Sequence, residues 1–169
     1  VTQFCVEHEI AAPLARVEAV VLGPTLLARL PGFSAAVAEA RELTRHDHGD
    51  WVERTARYVA ASVPAPLAAV IPRAWATWIE RTTWDRRSHR AQFVIEPQLP
   101  GLLRRRVDCH GDYELLALAE DRTLRRITVV LRIAAPGVGR TAEAILARVI
   151  TEQFAGEASL LAVLTRSPA

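Results

Sequence analysis

From Thr141 to about Leu164, the residues Ala142, Ile145, Leu146, Val149, Ile150, Phe154, Glu157, Leu160, Leu161 and Leu164 recur at spacings of three and four. That is the period of one continuous amphipathic helix. At about 1.5 Å per residue it would be roughly 35 Å long, and an apolar stripe of that length needs a broad apolar surface to lie on. The segment before it reads as part of such a surface. Ile127, Val129, Leu131 and Ile133 alternate with Arg126, Thr128 and Arg132, the period-two pattern of a half-buried strand.

The same alternation opens the chain, where Phe4, Val6, His8 and Ile10 interleave with Gln3, Cys5, Glu7 and Glu9. Ala11-Ala12-Pro13 then starts a helical stretch with Leu14, Val17, Val21 and Leu22 on one side, which Gly23-Pro24 breaks before a second short turn over Thr25 to Leu30. Val37 to Arg45 and Trp51 to Val59 read as a hairpin around the polar loop His46-Asp47-His48-Gly49-Asp50. Ala74 to Asp85 and His89 to Pro97 are strands joined by a turn at Asp85-Arg86-Arg87-Ser88. A long strand from Leu103 to Ala119, expected to bulge or twist at Gly111, turns into Leu124 to Ala134. Between the third and fourth strands, Ala60 to Pro72 carries Pro64, Pro66 and Pro72 and is read as a loop with one helical turn near Leu67 to Val70. It is apolar for a loop, and is expected to fold over an opening or a partner. Pro136-Gly137-Val138-Gly139 ends the sheet; Thr141 is the expected N-cap of the long helix, with Glu143 and Glu152 among its polar positions.

Composition removes several function classes. With 50% hydrophobic and 24% charged residues, the chain is expected to form a single domain over 1–169 and not to be disordered. Its basic residues are all arginine, 21 against 19 acids, and the net charge of +2 carries no nucleic-acid signature. Cys5 and Cys109 supply neither a disulfide framework nor a metal knuckle. No apolar run approaches the ~20 residues of a membrane span and no signal peptide is visible, so a cytosolic protein is expected. No cofactor is expected either: Pro136-Gly137-Val138-Gly139-Arg140-Thr141 precedes a helix but lacks the Walker lysine and the Rossmann glycine spacing.

A strand, two short helices, six further strands and a long C-terminal helix is the element order of the helix-grip fold. Phe4, Val6, His8, Ile10, Ala11, Ala12, Pro13 and Val17 resemble the opening of START-like proteins, and Pro136, Val138, Gly139, Glu143 and Ile145, on through Phe154 and Glu157, resemble their ending. Trp75 to Trp84 with Asp85, and Gly111-Asp112-Tyr113-Glu114-Leu115, look most like an uncharacterised bacterial START-like family. The resemblance implies an α+β fold in which a curved seven-stranded antiparallel sheet wraps the last helix. It also implies an apolar ligand held between sheet and helix, and it brings no catalytic motif.

The residues with chemistry have two readings each. Trp75 and Trp78 have opposite strand parity, so only one of them can face inward; Trp78 shares its parity with Glu80 and Trp84. Either can be core packing or cavity lining. Tyr58 and Tyr113 carry phenols that need polar partners when buried. His8 stands on the inner face of the first strand, satisfied by a neighbour or directed into a cavity. Cys109 should face inward and Cys5 outward. His46 and His48 read as a solvated turn and His110 as exposed. Arg104-Arg105-Arg106, and the groups Arg86, Arg87, Arg90 and Arg122, Arg125, Arg126 near hairpin ends, read as solvated charge, with docking to an anionic membrane surface or an acidic partner as the functional alternative.

The expected function is reversible, non-covalent binding of a hydrophobic small molecule, lipid-like or polyketide-like. His8, Tyr58, Trp78, Phe93, Tyr113, Ile150 and Phe154 are the candidate lining. The alternatives are a cyclase- or dehydratase-type enzyme moving a proton with a cavity Tyr or His, and an interaction domain with a closed core. The enzyme requires a titratable pair within hydrogen-bond reach inside; the carrier requires an almost wholly apolar lining.

Overall fold

The computed structural model describes residues 1–68 and 76–166. Its elements are β1 (Thr2–Ile10), α1 (Leu14–Leu22), α2 (Pro24–Arg29), a 3-10 turn (Leu30–Gly32), β2 (Val37–Asp47), β3 (Trp51–Ala60), a helical turn α3 (Ala65–Ala68), β4 (Thr77–Asp85), β5 (Arg90–Pro97), α4 (Gly101–Arg104), β6 (Val107–Ala119), β7 (Arg122–Ile133) and α5 (Gly139–Arg166). The seven strands form one antiparallel sheet in the order β1-β7-β6-β5-β4-β3-β2. The sheet curves around α5, with α1 and α2 following the first strand, which is the helix-grip architecture.

Alternation sets which side chains meet α5. On β7, Ile127 and Val129 are fully buried and Leu131 is 1% exposed, while Arg126, Thr128 and Val130 between them are only partly covered. The two ends of the sheet differ. At the end where β1 runs into α1, the inward residues Ile10, Val52, Trp84 and Leu115 are sealed at 2% exposure or less, and Val17 of α1 and Leu26 of α2 belong to the same core. Gly23 and Pro24 stop α1 and leave its last carbonyls without helical partners. Arg45 of β2 donates to Leu22 O, and Arg54 Nη1 of β3 donates to Val21 O at 3.0 Å. The helix is thereby tied to the sheet edge.

Two glycines allow close approaches that any side chain would block. A Cβ on Gly111 would stand 2.2 Å from Thr128 O and 2.6 Å from Phe93 Cζ. One on Gly156 would stand 2.6 Å from Phe33 O, where α5 passes the 3-10 turn. The bulge expected at Gly111 is absent: Gly111 pairs with Val129 in unbroken register, and the β6–β7 irregularity lies between Ala117 and Ala119. Close packing, not an extra residue, accounts for that glycine.

Three further expectations are corrected. Strand β6 begins at Val107, because the preceding residues form α4. Helix α5 starts at Gly139, whose N–H donates to Ala135 O at 2.8 Å, so Thr141 lies inside the helix. Glu143 is buried: its carboxylate accepts from Ile133 N at 2.8 Å and from Thr2 Oγ1 at 2.9 Å, tying the start of α5 to β1 and the end of β7. The helical turn of the Pro-rich loop is α3, with Leu67 buried. The rest of the covering role expected of that loop, and Trp75, fall outside the described residues.

Candidate functional site

The interior under α5 holds a polar floor. Arg125 continues the inward phase of β7 two residues before Ile127 and is wholly buried. Its Nε donates to Tyr113 Oη at 2.7 Å, its Nη1 donates to Phe154 O at 3.0 Å and lies 3.4 Å from His8 Nδ1, and its Nη2 donates to the Glu157 carboxylate. The guanidinium also covers the rings of Tyr113 and Phe154, 5.0 and 5.4 Å from their centroids. Burial by itself would lower the arginine's pKa; the Glu157 carboxylate and Tyr113 outweigh it, and the cation is held firmly. Burial pushes the Tyr113 phenol up to about 12.

A second cluster stands beside it on β3 and β4. Tyr58 Oη lies 3.5 Å from Glu80 Oε1, and Thr82 Oγ1 donates to the same oxygen at 3.1 Å. Burial raises the Glu80 pKa, opposed by the Arg54 guanidinium and reinforced by Glu157. Burial, followed by the Glu80 charge, raises that of Tyr58 well above the ordinary phenol range. Two carboxyls, two phenols and two guanidiniums thus sit within electrostatic reach in one low-dielectric interior.

Towards the other end of the sheet the inward-facing residues are apolar and less completely buried. Trp78 and Trp84 share a strand and a face, yet Trp84 is 2% exposed while Trp78 is only partly buried. Trp84 donates to Glu18 Oε1 at 2.8 Å. Trp78 stacks on Tyr58, centroids 5.3 Å apart and planes 3° from parallel, and its buried Nε1 has no acceptor among the described residues. Ile95 of β5 and Leu146, Val149 and Ile150 of α5 are partly buried around the same end. The backbone of α5 runs closest to β1, β7, α1 and α2. Two clefts lie on the outside instead. One of about 550 Å³ is bounded by α1, Glu42, Arg45 and Arg86; the other, of about 440 Å³, lies on the outer sheet face beside Trp51, Gln92 and Asp112.

Of the seven residues singled out in the sequence as cavity lining, Tyr58, Phe93, Tyr113 and Phe154 are buried in the core, Trp78 and Ile150 are partly buried against it, and His8 is half-buried beside Arg125. Phe93 and Phe154 meet edge to face, centroids 6.2 Å apart. Arg125 was expected among solvated arginines, and the structure overturns that. Its parity with Ile127 and Val129 was the available signal, outweighed by the charge of the neighbouring Arg126. Glu80 was recognisable by its parity with Trp78 and Trp84, and Glu157 by its place on the apolar stripe of the helix. Each buried charge is compensated by the other element's charge, which a single strand or helix cannot reveal. His46 and His48 are exposed, and no group of three or more metal-ligating residues forms among the described residues. His110 is exposed beside Asp108, 3.2 Å away.

Two measurable consequences follow from these environments. Burial, then the Arg125 charge, lowers the His8 pKa below its ordinary 6.5. In the window between the lowered value and 6.5 the unfolded chain binds more protons than the folded one, so stability should rise as pH rises through that window. Urea midpoints measured across that range should increase with pH, and His8→Gln should flatten the rise; an unchanged slope in the variant would place the titration elsewhere. Burial also pushes the Cys109 thiol up to about 12, while Cys5 is exposed. A thiol-reactive chromophore should therefore modify Cys5 quickly in the native protein and Cys109 only after denaturation.

The family model for proteins of unknown function designated DUF2505 matches residues 5–163. The chain belongs to this family. No curated protein matches the sequence. The DUF2505 chain is similar in structure to TTHA0849 from Thermus thermophilus, with a TM-score of 0.68 and 17% identity, covering 97% of both chains. It is similar to the Zhui aromatase/cyclase from a Streptomyces species, with a TM-score of 0.62 and 16% identity over 96% of this chain and 93% of that one. Norcoclaurine synthase from Thalictrum flavum matches with a TM-score of 0.63 and 17% identity over 96% of this chain and 85% of that one. At these identities the likeness is one of fold. No described helix of the DUF2505 chain is long and apolar enough to cross a membrane.

Proposed function

We propose that this protein binds a hydrophobic small molecule, flat and aromatic or polyketide-like, between β3–β5 and the first half of α5. The observation that carries the reading is the contrast along β4: Trp84 is sealed and hydrogen-bonded, whereas Trp78, on the same face, is partly open and its indole N–H lacks an acceptor among the described residues. A buried donor without a partner costs free energy unless something fills it. A ligand carbonyl or phenol oxygen would do so, while Ile95, Ile150 and Leu146 cover the apolar body. At ~25 cal/mol per Å², burying about 200 Å² of ligand surface contributes roughly 5 kcal/mol before ordering costs. The fold likeness to an aromatase/cyclase and to norcoclaurine synthase is consistent with such a guest.

A second reading, proton-transfer catalysis, is favoured by one observation. Tyr58 and Glu80 are a titratable pair 3.5 Å apart in the interior, and the lining is not wholly apolar as a simple carrier would have it. With its pKa raised by burial, Glu80 could act as a general acid towards an oxygen of the bound molecule. Native mass spectrometry of the protein isolated from its own host tests binding: an additional apolar mass, lost on denaturation, is expected, and the bare chain alone would count against it. Turnover is separated by Glu80→Gln. If the site is catalytic, the variant should keep the ligand and fail to transform it; if the site only binds, the bound molecule should be recovered unchanged from both proteins.

A further inference from the structure

The clustered arginines at the two ends of the sheet differ in their partners. At the closed end of the sheet they are neutralised: Arg86 is paired bidentately with Asp47 at 2.8 Å, Arg87 with Asp50, Arg90 with Glu114, Arg122 with Glu9 at 3.8 Å and Arg126 with Glu7. The basic groups around Arg86 and Arg122 are therefore offset by acids. At the open end the situation reverses. Arg104, Arg105 and Arg106, which lead from α4 into β6, and Arg140 at the start of α5 are exposed, and none has an anionic partner among the described residues. Of the acids nearby, Glu96 and Glu143 are engaged and Asp108 alone stays exposed, leaving the arginines in excess. Asp108 faces His110 at 3.2 Å, Glu96 takes Arg81 at 3.1 Å, and Glu143 is buried against β1 and β7.

Two large apolar side chains project within this basic rim. Leu102 on α4 is 74% exposed, and Val138 in the turn before α5 is 60% exposed. The hydrogen bond from Ala134 N to Arg106 O at 2.8 Å sets the two loops side by side at this end of the sheet. Solvated arginines alone need no explanation. Other exposed arginines stand singly, as Arg29, Arg41 and Arg166 do, but a run of three with Arg140 and two protruding aliphatic tips at the same end matches an interface that is negatively charged at its surface and apolar just beneath it.

We propose that this rim docks reversibly on an anionic lipid bilayer, the arginines on lipid phosphates and Leu102 and Val138 in the acyl boundary. The open end of the sheet then faces the membrane, the phase in which a hydrophobic guest would be dissolved. Docking depends on the rim alone and stands whether or not the interior holds a ligand.

Sedimentation of the full chain with vesicles tests it, comparing phosphatidylcholine alone with phosphatidylcholine mixed with phosphatidylglycerol at low and high salt. Binding is expected only to the phosphatidylglycerol vesicles, and it should weaken in high salt as the charges are screened. The variant R104Q/R105Q/R106Q should lower the partition coefficient by about two orders of magnitude. It should leave the melting temperature unchanged, since all three side chains are exposed. L102S/V138S keeps the charge and should also weaken binding, which simple attraction of an anion to arginine would not. Failure to sediment with anionic vesicles at low salt overturns the proposal, as does binding that survives the arginine variant. Loss of sedimentation only in the arginine variant, with L102S/V138S unaffected, would show attraction of an anion by charge alone, without insertion, and also overturn it.

Discussion

Arg125→Ala should lower the unfolding free energy by about 3–5 kcal/mol, the cost of leaving a buried carboxylate without its counter-ion. The magnitude follows from the position of the side chain. Arg125 is fully buried, and removing it strips a charge partner from Glu157, a donor from Tyr113 and a donor from the Phe154 carbonyl. None of these groups can turn to water without moving α5 away from β7. The pair is not thereby a net stabiliser, because taking two ions out of water offsets much of their attraction. A double variant, Arg125→Met with Glu157→Leu, should accordingly recover most of the loss. Urea unfolding of the single and double variants decides the matter, and a double variant as unstable as Arg125→Ala would show that Tyr113 and the Phe154 carbonyl carry the cost instead.

Trp84→Ala should be comparably damaging, about 3–5 kcal/mol, for a different reason. It empties the sealed end of the core and removes the donor to Glu18 together with the edge-to-face contact with Tyr113, centroids 5.2 Å apart. Trp78→Ala should cost much less, about 1–2 kcal/mol, because the ring is partly open and gives up mainly its stack on Tyr58. The functional order should be the opposite. Trp78→Ala should abolish binding of a naphthol-type probe that Trp84→Ala, where folded, still takes up. Equal losses of stability in the two variants would mean that the sheet is as tightly closed at one end as at the other.

Most of the fold is legible in the sequence, because period-two alternation in β1 and β7 and the three-four spacing of α5 are both set by one-sided burial. Even so, the strand start expected at Leu103 is misplaced. Leu102 and Leu103 look like strand residues, and nothing local says that the chain turns once more before Val107. Gly111 is ambiguous for a related reason, since a glycine that makes room for Phe93 and one that permits a bulge are the same letter. The aromatic members of the candidate site are legible by parity. Its charged members are less so, because Arg125 and Glu157 are tolerable inside only as a pair, and their partnership spans two elements far apart in the chain.

The proposed entry of an apolar guest between β3–β5 and α5 is reported most directly by the tryptophan indole N–H signals. Trp78 is partly buried and stacked on Tyr58, Trp84 is sealed against Glu18, and Trp51 sits in the outer cleft. In a titration of the labelled protein with a naphthol, followed by proton–nitrogen correlation spectra assigned through Trp→Phe variants, the Trp78 signal should shift saturably while those of Trp51 and Trp84 stay in place. A shift of Trp51 with Trp78 unmoved, or no shift of Trp78 at a saturating concentration of probe, would contradict it.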